Sequence, residues 1–272
     1  MSDPIDERPA RGIPLRALAP NAITVLALCF GLTGVRFAIG GEWDKALGSI
    51  VVAGILDGLD GRVARLLRAN SRFGAELDSL SDNIAFGTAP ALIIYLWSLN
   101  DAPQFGWIAA LSLAVTCALR LARFNARIDA GPQPHKEAGF NTGVPAPAGA
   151  GLVFVPIYLW LITGDEMFRI WYVVMPWVLF IAVLMISSVP TFGWASIRIR
   201  REWRLLALAG IALLGAALIT APWVTLLAVA LVYVACLPFS IASYAGVKRR
   251  RAIPAGHEVG DEPILPAGGS AR

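Results

Sequence analysis

The sequence has little charge. Asp, Glu, Lys and Arg make up only 15% of its 272 residues, against 57% hydrophobic residues and a mean hydropathy of +0.64. Soluble domains carry about 25% charged residues, so this balance excludes an ordinary water-soluble domain and points to a membrane protein. Cysteine is scarce too. Cys29, Cys117 and Cys236 all fall in apolar stretches, which leaves no disulfide framework and no metal-ligand spacing. They read as small core residues. The two histidines, His135 and His257, stand alone in loop and tail and read as solvent-exposed bystanders. The first twenty residues lack a compact apolar region followed by a cleavage site, so no signal peptide is expected. A net charge of +4 and a pI near 9.2 suit nucleic acid only if the basic residues share one soluble face. They lie instead in short clusters between apolar runs, so no nucleic-acid partner is expected.

What is abundant is apolar sequence in long runs. A bilayer core of about 30 Å needs roughly 20 apolar residues per helix. Eight stretches qualify: 21–40, 44–56, 83–99, 105–124, 144–163, 168–188, 203–220 and 223–245. The second is short and is expected to continue as helix through a charged segment to about Leu67. None alternates in the manner of barrel strands. The fold class expected is therefore an all-α polytopic membrane protein of about eight transmembrane helices. Of the 23 basic residues, 20 fall in segments that share one side, while Arg36, Lys45 and Arg169 fall on the other. The positive-inside rule then places both termini in the cytoplasm, which an even number of spans allows. The expected organisation is a cytoplasmic or interfacial segment (1–20), a six-helix core (21–190), two additional transmembrane helices (191–245) and a disordered basic tail (246–272). No internal repeat is visible. The run Lys248–Arg251 either fixes the orientation of the last helix or binds anionic headgroups.

One segment breaks the apolar pattern. "ILDGLDGRVARLLRANSRFGAELDSLSD", residues 55–82, holds four aspartates and four arginines between two apolar runs. Asp57 and Asp60 are three apart, and Asp78 and Asp82 four apart, so each pair shares one face of a helix. If the helices are neighbours, four carboxylates converge at the cytoplasmic interface. Bare anions there repel and resist desolvation, and bound divalent cations remove both problems. An all-carboxylate donor set suits Mg²⁺ or Mn²⁺ rather than Zn²⁺. Arg65, five residues after Asp60, is placed to help hold a phosphate, and Gly58, Gly61 and Gly74 leave room for a ligand to approach the backbone. Acids, arginine and glycine together suggest metal-assisted chemistry on a phosphate ester. The remaining arginines, Arg62, Arg68 and Arg72, read better as topological anchors, and the GxxxG of Gly54 and Gly58 also fits plain helix packing.

The same stretch fits D-x2-D-G-x2-A-R-x8-G-x3-D-x3-D through Asp57, Asp60, Gly61, Ala64, Arg65, Gly74, Asp78 and Asp82. It thereby resembles the CDP-alcohol phosphatidyltransferase family. The resemblance implies two divalent cations, Mg²⁺ or Mn²⁺, held by Asp57, Asp60, Asp78 and Asp82. It implies a CDP-lipid pyrophosphate bound across them, with Asp82 as general base, and it suggests a homodimer. "APNAIT" (19–24), "FGAELDSLSDNIAFGTAPA" (73–91), "LRLARFN" (119–125) and "GVPAPA" (143–148) are similar in particular to the integral-membrane phosphatidylserine synthases of that family. That similarity spans about residues 18–190, and the last two runs match only in number and hydrophobicity. It implies CDP-diacylglycerol and L-serine as substrates in a bacterial inner membrane, with the site facing the cytoplasm. It brings Asn21 and Thr24 to the CDP and phosphate site alongside Asp60, Gly61, Ala64, Arg65 and Gly74. It also suggests Arg120, Arg123 and Asn125 for the serine.

From the residues alone, Arg120 and Arg123 divide evenly between topological anchors and a grip on an acceptor carboxylate. A sister transferase using glycerol 3-phosphate, an inositol phosphate or choline stays open as the nearest rival. A divalent-cation transporter is the rival from another class, with the aspartates as its ion site. Such a site is expected near mid-membrane, often on broken helices, and not at a helix end beside an arginine.

Overall fold

The computed structural model describes residues 15–69, 71–102, 104–128, 140–187, 190–192 and 201–252. Side chains at 15–17, 127–128, 140–142, 190–192, 201 and 240–252 lie outside that description. His135, His257 and the segment 253–272 fall outside it as well.

Long apolar runs must satisfy their backbone groups internally when no water is near, and the helix does so within one segment. The architecture is accordingly helical. α1 (Leu15–Ile39) turns back into α2 (Trp43–Leu66), and these two make the most extensive helix–helix contact of the described residues. α3 (Arg72–Asp82) runs through a π-helical turn (Asn83–Thr88) into α4 (Ala89–Trp97), and α5 is Phe105–Ile128. β1 (Phe140–Thr142) leads to α6 (Ala146–Val153) and α7 (Val155–Thr163), followed by α8 (Trp171–Ile186) and β2 (Pro190–Phe192). The two strands pair antiparallel, Asn141 opposite Thr191, and so join the two loops beside α5 and α8. α9 (Arg204–Thr220) and α10 (Pro222–Ala252) close the chain.

Four of these segments are long and apolar enough to cross a membrane by length and composition: Leu18–Ile39, Phe105–Ala126, Ala146–Thr163 and Pro222–Phe239. Trp171–Ile186 and Arg204–Thr220 are apolar but shorter. α2 and the α3–α4 rod, which carry the acidic stretch, are not among those four. α2 does run unbroken through the charges to Leu66, as its short apolar run predicts.

The helix pattern departs from the sequence expectation at three places, each with a local cause. The third helix begins at Arg72, well before its apolar run, because Ser71 caps it by accepting from the Gly74 N–H at 3.0 Å. The run 144–163 is divided at Phe154, where Pro156 in the first turn of α7 cannot donate to the preceding turn. The last helix reaches Ala252, inside the stretch read as tail.

The core lies among α2, α4, α5, α6, α7 and α8, with Trp97, Leu113, Phe154, Ile157 and Ile181 fully buried. In lipid such packing relies on close contact between small faces rather than on escape from water. Gly87 in the π-helical turn is an example. A Cβ there would lie 2.8 Å from Cys117 Cβ on α5, so glycine lets the turn and α5 meet.

Candidate active site

The corner between α2 and α3 brings the aspartates together. α2 ends in a Schellman motif: the Ala69 N–H donates to the Ala64 carbonyl at 2.9 Å and the Arg68 N–H to the Arg65 carbonyl at 3.3 Å. Arg68 takes the left-handed position of that motif at φ 50°, a place that glycine usually fills. The chain thus reverses within a few residues and Ser71 starts α3 beside the end of α2.

One carboxylate oxygen from each of Asp57, Asp60 and Asp78 lies within 4.8 Å of the others. Asp60 is 4% exposed, and its Oδ2 accepts a hydrogen bond from the Thr24 hydroxyl on α1 at 2.6 Å. Ser81, buried on α3 between Asp78 and Asp82, donates to the Thr24 carbonyl at 3.1 Å. On the other flank of α3, Asn125 Nδ2 of α5 donates to Ser79 Oγ at 2.9 Å. Helix α3 is therefore tied to α1 and α5 on either side of its acids. The fourth acid, Asp82, stands outside the group of three and is in hydrogen-bonding contact with Asp57. Two carboxyl groups in such contact need either a shared proton or a cation beside them. In the polar turns before the third apolar run, burial raises Asp78, and the Asp60 and Asp57 carboxylates raise it further, to about 6.

A cavity of about 430 Å³ opens beside the acids. Pro20, Asn21 and Thr24 of α1 line it, with Asp60, Gly61, Ala64 and Arg65 of α2. Ala69 and Ser71 line it at the corner, and Gly74, Ala75 and Asp78 along α3. All seven residues that the sequence assigns to CDP and phosphate, Asn21, Thr24, Asp60, Gly61, Ala64, Arg65 and Gly74, line this one space. A Cβ at Gly74 would sit 2.9 Å from Asn21 Oδ1, so a larger residue there would push the Asn21 side chain aside. Asp57 and Asp82 are not among its lining residues.

The residues suggested for serine lie along the C-terminal half of α5. Arg120 is half-buried, with a guanidinium nitrogen 3.1 Å from where a Cβ on Gly143 would stand. Arg123 Nη2 donates to the Ser187 carbonyl at 3.3 Å, just past the end of α8, where a cation complements the helix terminus. Asn125 engages Ser79. Sequence reasoning missed Ser71, Ser79 and Ser81. Only Ser71 carries a signal, as a capping residue ahead of a helix; the other two are ordinary helix serines whose partners are 46 and 57 residues away.

The donor set passes a test for hard divalent cations. Three carboxylates converge, one of them deeply buried, and no cationic side chain forms a salt bridge with them among the described residues. Oxygen-only ligation of this kind fits Mg²⁺ or Mn²⁺.

The sequence model of the CDP-alcohol phosphatidyltransferases matches residues 17–186, from the start of α1 to the end of α8. The chain belongs to the CDP-alcohol phosphatidyltransferase family. A second model, CDP-alcohol phosphatidyltransferase 2, matches residues 202–238 in α9 and α10. Among curated proteins, the CDP-diacylglycerol–serine O-phosphatidyltransferase of Mycobacterium tuberculosis is 39% identical over 236 residues, 87% of this chain and 82% of that protein. The Mycobacterium leprae protein of the same name is 40% identical over 86% of this chain and 77% of its own length. The one from Methanocaldococcus jannaschii is 37% identical over 48% of this chain and 56% of its own length. The similarity to the mycobacterial proteins is longer than the span 18–190 read from the motifs, so it includes part of the sequence beyond it. This family of transferases is metal-dependent, in keeping with the three-aspartate group, and the apolar helices fit an integral membrane protein.

Proposed function

We propose that the protein is a phosphatidylserine synthase, transferring the phosphatidyl group of CDP-diacylglycerol to the hydroxyl of L-serine with release of CMP. The observation that carries this reading is the cavity beside the three converging aspartates, lined by every residue assigned to the CDP moiety. The names of the mycobacterial relatives support serine as the acceptor.

Asp57, Asp60 and Asp78 would hold two divalent cations, with Asp82 beside the second. The chemistry such cations supply is neutralisation of the pyrophosphate charge, which makes CMP a better leaving group. Arg65, at the cavity wall, adds a guanidinium for a phosphate oxygen. Asn21, Gly61, Ala64 and Gly74 shape the pocket for the nucleotide. Asp82 accepts the proton of the serine hydroxyl as that oxygen attacks the lipid-side phosphorus. The new P–O bond forms as the bond to the CMP oxygen breaks, and the proton leaves on Asp82. Arg120 grips the serine carboxylate, while Arg123 and Asn125, with their bonds to Ser187 and Ser79, form the wall of that pocket.

The grouping of basic residues between alternate apolar runs supports eight spans with the site and both termini in the cytoplasm, and the organisms of the mycobacterial relatives support a bacterial inner membrane. Residues 21–190 form the catalytic core, 191–245 the added helix pair, and the working unit is a homodimer. The test is CMP release by the purified protein with CDP-diacylglycerol, Mn²⁺ or Mg²⁺, and serine, glycerol 3-phosphate, inositol phosphate or choline in parallel. Release that requires serine is the expected result. Release with another alcohol keeps the aspartate site and overturns serine, and the absence of release with any alcohol returns the cation-transport reading.

A further inference from the structure

Thr24 is the one residue whose described hydrogen bonds reach both acid-bearing helices. Its side chain is buried, 5% exposed, and its hydroxyl lies 2.6 Å from Asp60 Oδ2 on α2. Its carbonyl accepts from Ser81 Oγ of α3 at 3.1 Å. The hydroxyl also lies 3.1 Å from the Pro20 carbonyl, but it carries a single proton. An ionised carboxylate at 2.6 Å is the stronger acceptor, so the single proton goes to Asp60 and not to the Pro20 carbonyl.

We propose that Thr24 is a positioning residue for the cation site, setting the orientation of the Asp60 carboxylate through its hydroxyl and the register of Asp78 and Asp82 through its carbonyl and Ser81. This rests on the reading that Asp57, Asp60 and Asp78 hold divalent cations. One oxygen of Asp60 is engaged by Thr24, which turns the other toward a cation instead of leaving the group free to rotate. Groups that orient a metal ligand from behind commonly alter metal affinity by about 10–100-fold when removed. Thr24 also lines the cavity, so a role in holding nucleotide has to be separated from a role in holding the ion.

The separating measurement is Mn²⁺ binding to the full-length protein in detergent, without nucleotide or serine, read from the free Mn²⁺ signal in electron paramagnetic resonance. T24V keeps the shape and removes the hydroxyl, and is expected to weaken Mn²⁺ binding about tenfold. T24S restores the donor and is expected to return affinity close to that of the unaltered protein, while unfolding in EDTA stays the same across all three. Should T24V not fold, T24A against T24S makes the same comparison. Unchanged Mn²⁺ affinity in T24V, or no recovery in T24S, overturns the positioning role. Failure of the unaltered protein to take up Mn²⁺ overturns the metal reading, and the positioning role with it.

Discussion

The two ends of this protein use polar residues in opposite ways. From α1 to α5, the helices are pinned by buried polar contacts that converge on the acids: Thr24 to Asp60, Ser81 to Thr24, Asn125 to Ser79. In α9, by contrast, no residue is buried, and Leu205, Ile211, Leu213 and Ile219 stand largely exposed along a helix whose main partner is α10. Apolar residues that face lipid contribute little to holding a helix in place, because lipid tails are as apolar as leucine. A hydrogen bond that removes a lone polar group from such surroundings contributes more. The chain therefore concentrates its precision in one place. It lies at the corner of α2 and α3, and α9 follows mainly the demand for an apolar surface.

The largest effect is expected at Asp82. Asp82→Asn removes the proposed base but keeps size and hydrogen bonding, and is expected to lower turnover by about 10²–10⁴-fold. Mn²⁺ binding in the same protein is expected to persist, since Asp57, Asp60 and Asp78 remain. Near-normal turnover would end the base assignment.

Packing offers the next contrast. Leu113→Ala, at a fully buried position facing the core, is expected to cost about 2–4 kcal/mol of stability, measured by thermal unfolding in detergent. The same change at Leu208 of α9, which is 65% exposed, should stay within about 0.5 kcal/mol. Equal losses at both positions would mean that α9 packs far more tightly than its exposure indicates.

Acidity separates the regions too. Asp78 is raised to about 6, so its proton competes with a cation below that pH. Mn²⁺ affinity is expected to hold above pH 7 and to fall as pH drops through 6, by up to about tenfold per unit for each proton displaced. A flat affinity between pH 7 and 5 would contradict that expectation. The smallest effect is expected at Arg62, read as an exposed anchor outside the cavity lining. Arg62→Gln should leave the KM for CDP-diacylglycerol nearly unchanged, whereas Arg65→Gln should raise it. Equal effects would erase the distinction between a phosphate contact and an anchor.

Much of this was legible in the sequence, for reasons that differ by element. The aspartates could be read because helical spacing alone brings residues three and four apart onto one face, and because acids are costly beside apolar runs. The passage of α2 through its charged end could be read because its apolar run is too short to cross a bilayer by itself. Thr24 could be placed near the nucleotide only by resemblance. Its bond to Asp60 crosses 36 residues, and no local pattern encodes a partner that far away. The π-helical turn at Asn83–Thr88 has no periodic signature, since one added residue per turn shifts the register without changing composition. Arg123 was read as anchor or ligand, while its bond to Ser187 depends on where α8 ends.

Metal-dependent transfer to serine is tested by incorporation of labelled serine into lipid by the purified protein with CDP-diacylglycerol, after EDTA stripping and again after Mn²⁺ is restored. Labelled phosphatidylserine and CMP are expected in equal amounts, absent in EDTA and regained with Mn²⁺. Labelled lipid that forms equally well in EDTA would contradict this, because the converging aspartates would then have no part in the transfer.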